Sequence, residues 1–298
     1  MSDVIGGILA GFVYSISYAF ATVGYQSQIE ESNSFVANCI KTWAAAPLMI
    51  GAMLVVGSTS LFSVPCPAAL SFILSMLAGV IVADTFYLAG QRRVGVTYAL
   101  PISMTYPIFT YIIALVVNWE SFMVSRLLGV AIAVLGVSVL SWEQGSMSET
   151  DLGLGFVDKT GLLFAVITSF LFALSALFIQ AGVYEVDPVI GASIRIISGS
   201  VVMAPLGLLA KAKGVLIPSR RSATIIAVSG FFGMGVATLF WVTAIKHVGA
   251  VTTSVLGTTS VLFGVPVSVF VLGERVSRTT VLSIAATVFG VILVVLGT

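Results

Sequence analysis

Residues 75–95 read SMLAGVIVADTFYLAGQRRVG, and residues 229–249 read SGFFGMGVATLFWVTAIKHVG. Laid on one another at a shift of 154, Ser75, Gly79, Ala83 and Phe86 fall on Ser229, Gly233, Ala237 and Phe240. The basic turn Arg92-Arg93-Val94-Gly95 falls on Lys246-His247-Val248-Gly249. The same register runs outward without a gap. Gly7-Ile8-Leu9 meets Gly161-Leu162-Leu163, Ser15 meets Ser169, Gln26 meets Gln180, and Ile40-Lys41 meets Ile194-Arg195. Glu120 meets Glu274, and Gly136-Val137 meets Gly290-Val291. Apolar segments share Gly and Val by chance, so the force lies in one register that also aligns the rare charged positions. The chain is read as a duplication, residues 1–147 and 148–298, forming one transmembrane domain.

Composition says where such a duplication can live. Of 298 residues, 58% are hydrophobic and 8% charged, where a soluble domain carries about 25% charged. Mean hydropathy is +1.14. A surface this poor in ions belongs in lipid. A net charge of +1 offers no field for nucleic acid. Two cysteines, Cys39 and Cys66, and one histidine, His247, supply neither a disulfide framework nor a zinc-ligand set.

A spanning helix needs about 20 mostly apolar residues. Turn signals delimit ten such stretches, at roughly 4–25, 35–57, 68–90, 95–117, 124–142, 160–183, 188–210, 223–245, 249–272 and 277–297. Each is too long and too evenly apolar for a porin strand. The expected fold is all-α and integral to the membrane. It has ten transmembrane helices as two five-helix repeats, and five is odd, so the repeats enter the membrane inverted, as in many secondary transporters.

The residues of these repeats resemble a known family. A basic residue stands near the start of the second helix of each half, at Lys41 and Arg195. The third helix ends in Phe86-Tyr87 or Phe240-Trp241 before its basic-Val-Gly turn. The ninth span closes on Leu272-Gly273-Glu274-Arg275. Together these are similar to the EamA branch of the drug/metabolite transporter superfamily, over the whole chain. The first half departs from the pattern, with Asn118-Trp119-Glu120-Ser121 in place of Leu-Gly-Glu-Arg. The resemblance implies export of amino acids or other small metabolites, by proton coupling or exchange.

Three charged residues lie within spans: Lys41, Asp84 and Arg195. Each costs roughly 2.5–3.5 kcal/mol at a helix centre. The two long cations either snorkel to the headgroups or bind a substrate carboxylate. Asp84 is set apart by its repeat counterpart, the neutral Thr238. It suits proton coupling, an ammonium ligand, or a structural role, paired with Lys41 or hydrogen-bonded to a neighbouring hydroxyl. Tyr87 lies one turn on, and Trp241 is its counterpart. The fourth span carries Tyr98, Pro101, Thr105, Tyr106 and Pro107, two prolines that must kink it. The ninth carries Thr252, Thr259 and Pro266, and the first carries Tyr14 and Tyr18 at helical spacing. These positions are expected to line a central cavity and bind substrate. Gly7-x3-Gly11, Gly129-x3-Ala133 and Ala286-x3-Gly290 are expected close-packing faces, and the last spans of the halves, 124–142 and 277–297, with almost no polar side chains, suit lipid contact or a homodimer seam.

Lys and Arg crowd the odd-numbered links (Arg92, Arg93, Lys159, Lys211, Lys213, Arg220, Arg221, Arg275, Arg278), against Arg126 and Lys246 in the even ones. The positive-inside rule puts the odd links in the cytoplasm and both termini outside. No P-loop, His-Glu-x-x-His or Gly-x-Ser-x-Gly motif occurs. The expected function is therefore not enzymatic and needs no cofactor. It is secondary-active transport of a small organic metabolite across the plasma membrane, most simply an amino acid or similar zwitterion, possible coupling ions being protons. Export of hydrophobic or cationic drugs, a lipid flippase and a channel are the alternatives. Expected partners are the small-molecule substrate and membrane lipid, with no nucleic acid, and the chain acts as monomer or homodimer.

Overall fold

The structure is a computed structural model and describes residues 2–28, 32–56, 63–148, 158–212, 215, 217–263 and 278–297. Among the described residues every regular element is helical. The first half supplies α1 (Ser2–Gln26), α2 (Ser34–Val56), α3 (Cys66–Met76), α4 (Asp84–Ser103), α5 (Tyr106–Val116) and α6 (Val124–Ser148). The second supplies α7 (Lys159–Val183), α8 (Pro188–Ala212), α9 (Arg220–Gly230), α10 (Ala237–Thr258) and α11 (Arg278–Leu296). A π-helical stretch joins α3 to α4 at Leu77–Ala83, and another joins α9 to α10 at Phe231–Val236. Their first residues are 154 apart, the shift read from the sequence.

Among the described residues seven helices are long and apolar enough to cross a membrane, and Val124–Leu140 and Val281–Leu296 are shorter apolar helices. The protein is membrane-embedded and multi-pass. One of the seven, Arg220–Phe263, holds 44 residues, about twice the length a bilayer needs. It contains two of the expected spans, and the helical path breaks inside it at Gly249, with φ 78° and ψ 165°. Only glycine takes that conformation without strain. The expected first-half boundary at Gln91-Arg92-Arg93 likewise falls inside a helix, α4. The end of the expected ninth span, with Pro266 and the Leu272–Arg275 motif, lies outside the described residues.

Two further boundaries differ from the sequence reading or sharpen it. Helix α6 runs on to Ser148 rather than stopping at 142. Glu143, Gln144 and Met147 are good helix formers, and no proline follows them to stop the helix, which carries through Gly145. The prolines act as expected: α4 stops at Ser103, Met104 and Thr105 form a turn, and α5 starts at Tyr106 with Pro107 in its first turn. The hydroxyls of Ser103 and Thr105 bond the carbonyls of Ala99 and Ile102 there, at 2.7 Å each.

Packing pairs each helix with elements of the other half. Helix α1 lies on α10, and its counterpart α7 lies on α4. Helix α2 lies on its own counterpart α8, and α6 on its counterpart α11. The α6–α11 seam uses the expected glycine faces. A Cβ on Gly129 would stand 2.8 Å from the Gly290 carbonyl oxygen, and one on Gly290 would stand 2.6 Å from that of Gly129. These small-residue faces are therefore spent on each other within one chain. Gly11, from the third expected face, packs on Leu256 of α10. Outward faces stay apolar, with Leu54, Leu128, Leu135, Leu208 and Leu282 exposed, while hydroxyls such as Ser15, Thr42, Ser75, Ser169 and Thr252 are buried. That distribution suits a lipid solvent.

Candidate functional site

Asp84 opens α4 directly after the π stretch. A π stretch leaves carbonyls without their usual helical donors, and such stretches mark functional sites. Here side chains from neighbouring helices step in. Asn38 Nδ2 donates to the Val80 carbonyl at 2.8 Å, and Thr168 Oγ1 donates to the Ala83 carbonyl at 3.3 Å. Across from them, Lys41 Nζ lies 2.5 Å from Asp84 Oδ2, with the two side chains 12% and 15% exposed. The same ammonium sits 5.3 Å from the centre of the Tyr25 ring, within cation–π range. The expected pair of Asp84 with Lys41 is thus present.

Arg195 occupies the equivalent place in the second half and is 7% exposed. It does not snorkel. Its Nε donates to Ser75 Oγ at 3.1 Å, Nη1 to Thr238 Oγ1 at 3.4 Å, and Nη2 to Ser175 Oγ at 3.4 Å. Ser75 and Ser175 are bonded to each other at 2.9 Å, and Ser175 also donates to the Ser75 carbonyl. Lys41 with Asp84 and Arg195 with Thr238 are therefore one contact made twice, 43 residues apart in each half.

Aromatic rings surround these cations. Tyr14 and Tyr18 stack with centroids 5.6 Å apart, and Tyr14 lies 4.4 Å from Trp241. Tyr14, Trp241 and Tyr106 converge on Gly257, where a Cβ would come within 2.6 Å of the Tyr106 hydroxyl. Tyr106 donates to the Ser254 carbonyl at 2.9 Å. Tyr14, Tyr18, Tyr25 and Tyr87 all lie close enough to Asp84 to feel its charge. The structure thus brings together Lys41, Asp84, Arg195, Tyr14, Tyr18, Tyr87, Tyr106 and Trp241.

The remaining expected positions make other contacts or are buried in their own helices. Tyr98 packs against Trp142, whose own ring is exposed, at 6.0 Å. Thr105 pairs with Ser169 at 2.9 Å, joining α4 to α7. Thr259 donates to the Leu256 carbonyl at its own helix end, and Thr252 is buried in α10. Conversely, Tyr25 and Asn38 were not singled out in the sequence. Tyr25 follows Tyr18 by seven residues on the same helical face, and Asn38 precedes Lys41 by one turn, so both signals were present. Tyr25 Oη and Asn38 Oδ1 are buried without a hydrogen-bond partner. Among the described residues no group of three His, Cys, Asp or Glu could hold a metal.

Outside the spans, Asp158 caps α7 by accepting from the Thr160 backbone N–H at 2.8 Å, and Arg93 Nη1 reaches it at 2.9 Å. The Arg93 guanidinium holds the Asp158 carboxyl below the usual carboxylate range, and the Thr160 amide adds to this.

Comparison with known proteins decides the family. Residues 5–142 and 159–296 each match the EamA-like transporter family. The two matches begin and end 154 residues apart. The chain belongs to the EamA-like transporter family. An uncharacterized transporter of Archaeoglobus fulgidus is similar to it, 24% identical over 170 residues. That match spans 57% of each chain, so the chain covers little more than half the length of this relative. A solved crystal structure of another protein superposes with a TM-score of 0.79, covering 97% of both chains at 15% identity, which shows a shared fold.

Proposed function

We propose that this EamA-family protein is a secondary-active transporter of a small organic metabolite in the plasma membrane. It works by alternating access between two inverted five-helix repeats. The observation that carries this reading is the doubled cation contact, Lys41–Asp84 and Arg195–Thr238, buried at equivalent places among Tyr14, Tyr18 and Trp241. The pairing of α2 with α8 and of α6 with α11 supports it. Counterpart helices that pack on each other can exchange roles, giving two states of similar energy that open to opposite sides.

An amino acid or similar zwitterion fits the inventory. Its carboxylate meets a cation, and its ammonium meets the Asp84 carboxylate and the tyrosine faces. A phosphorylated solute would want several free cations, and Lys41 is already engaged. The same tyrosines beside one acid also suit an organic cation, which is the second reading. Purified protein in liposomes preloaded with unlabelled solute tests both by counterflow. Accelerated uptake of labelled amino acid supports the first reading, acceleration by labelled organic cations alone supports the second, and neither means the carrier reading is wrong.

A further inference from the structure

Among the described residues Arg195 has no carboxylate bonded to it. Lys41 and Asp84 neutralise each other at 2.5 Å. Among the described residues the other ion pairs are Arg93–Asp158 and Arg126–Glu120, far along the chain from Arg195. Asp84 is near enough for Arg195 to feel, yet it bonds Lys41. Among the described residues every hydrogen bond the Arg195 guanidinium makes goes to a neutral hydroxyl, and two of the three are 3.4 Å long. A guanidinium has five N–H donors and stays protonated at physiological pH, so burial without a counter-charge is costly.

The repeat shows what is missing. In the first half the partner of the basic residue is a carboxylate, Asp84. In the second half Thr238 stands at that position. Gly79 lets the helix backbone approach closely there, since a Cβ would stand 2.8 Å from Ser175 Cβ and 3.4 Å from Arg195 Nη2. We infer that Arg195, with the hydroxyls of Thr238, Ser75 and Ser175, forms a binding site for one monovalent anion. The occupant is either the carboxylate of the transported solute, which rests on the transport reading above, or free chloride, which does not.

Binding to the folded state alone raises the melting temperature with the logarithm of ligand concentration. Purified full-length protein is melted in sodium chloride or sodium acetate series, exchanged against sulfate at fixed ionic strength. Each curve is read as its difference from Arg195→Met, which removes general salt effects. A saturable rise in the wild type supports the site. Acetate acting alone points to a solute carboxylate, and chloride acting alone or equally points to a free-anion site. Thr238→Asp should install the missing carboxylate in the chain, raising the anion-free melting temperature and abolishing the response. If Arg195→Met does not fold, Arg195→Lys and Thr238→Asp carry the comparison. A wild type that melts identically in every salt overturns the inference, as does a response unchanged in Thr238→Asp. No transport is measured in these melts, so their failure is distinct from failure of counterflow.

Discussion

Lys41 on α2 and Asp84 at the start of α4 form a 2.5 Å ion pair between two helices of the first half. Its counterpart in the second half is a hydrogen bond from Arg195 to Thr238. The fold has kept the contact through duplication while changing its charge. The first-half contact is charge-balanced, and the second-half contact pairs a cation with a neutral hydroxyl.

The glycine faces of α6 and α11 should tolerate no enlargement. A Cβ on Gly290 meets backbone atoms of Gly129 and Ala133, which cannot swing aside as a side chain could. Gly290→Leu should therefore destabilise the protein by about 1–3 kcal/mol or more. Thermal melting in detergent checks this, with Gly6→Leu as the control, since nothing stands within 4 Å of that position.

Gly249→Ala separates strain from crowding. A Cβ there would meet only ordinary neighbours, Gln180 Oε1 at 3.6 Å and Glu120 Oε1 at 3.7 Å. The cost is conformational, because φ 78° with ψ 165° is essentially a glycine region. About 1–3 kcal/mol of stability should be lost. A melting temperature equal to the wild type would show that the turn is not held in that geometry.

Asp158 should give a pH-dependent stability of definite sign. Arg93 and the Thr160 amide hold its carboxyl below the ordinary range in the folded state. A depressed folded value means the stabilisation is present above the unfolded carboxylate range and fades as pH falls through the folded one. Asp158→Asn should thus melt below the wild type near neutrality, with the gap closing in acid and narrowing in high salt. The pair is solvent-exposed, so the gap should be small.

Some of this was legible in the sequence for definite reasons. The repeat was, because a constant shift aligns charges that lipid makes expensive. The break between Pro101 and Pro107 was, because proline cannot donate its backbone bond. Lys41 was legible as one candidate partner of Asp84, but the choice was not, since it depends on how α2 and α4 are rotated about their axes. Nor was the setting of Arg195, whose hydroxyls come from α3, α7 and α10 at Ser75, Ser175 and Thr238. No single segment's periodicity contains a site assembled from three helices. Tyr98 shows the converse: it shares a span with Tyr106 but packs outward on Trp142.

The last prediction asks whether Asp84 does more than hold Lys41. Removing one partner of a buried pair strands the other, at a cost of about 3–5 kcal/mol. Asp84→Asn should therefore lower the melting temperature clearly, and Lys41→Met in the same protein should restore much of it, since the double variant buries no charge there. Transport then separates two roles. If the pair only joins α2 to α4, the double variant should recover both stability and pH-driven uptake. If Asp84 exchanges its partner for a proton during the cycle, the double variant should melt like the wild type and still exchange solute at equal pH. Uptake driven by a pH gradient would be lost in that case. The second outcome is the one expected, because the repeat counterpart of Asp84 is the neutral Thr238, so the shared scaffold does not itself require a carboxylate at that place. Full pH-driven uptake in the double variant would reduce Asp84 to a structural tie.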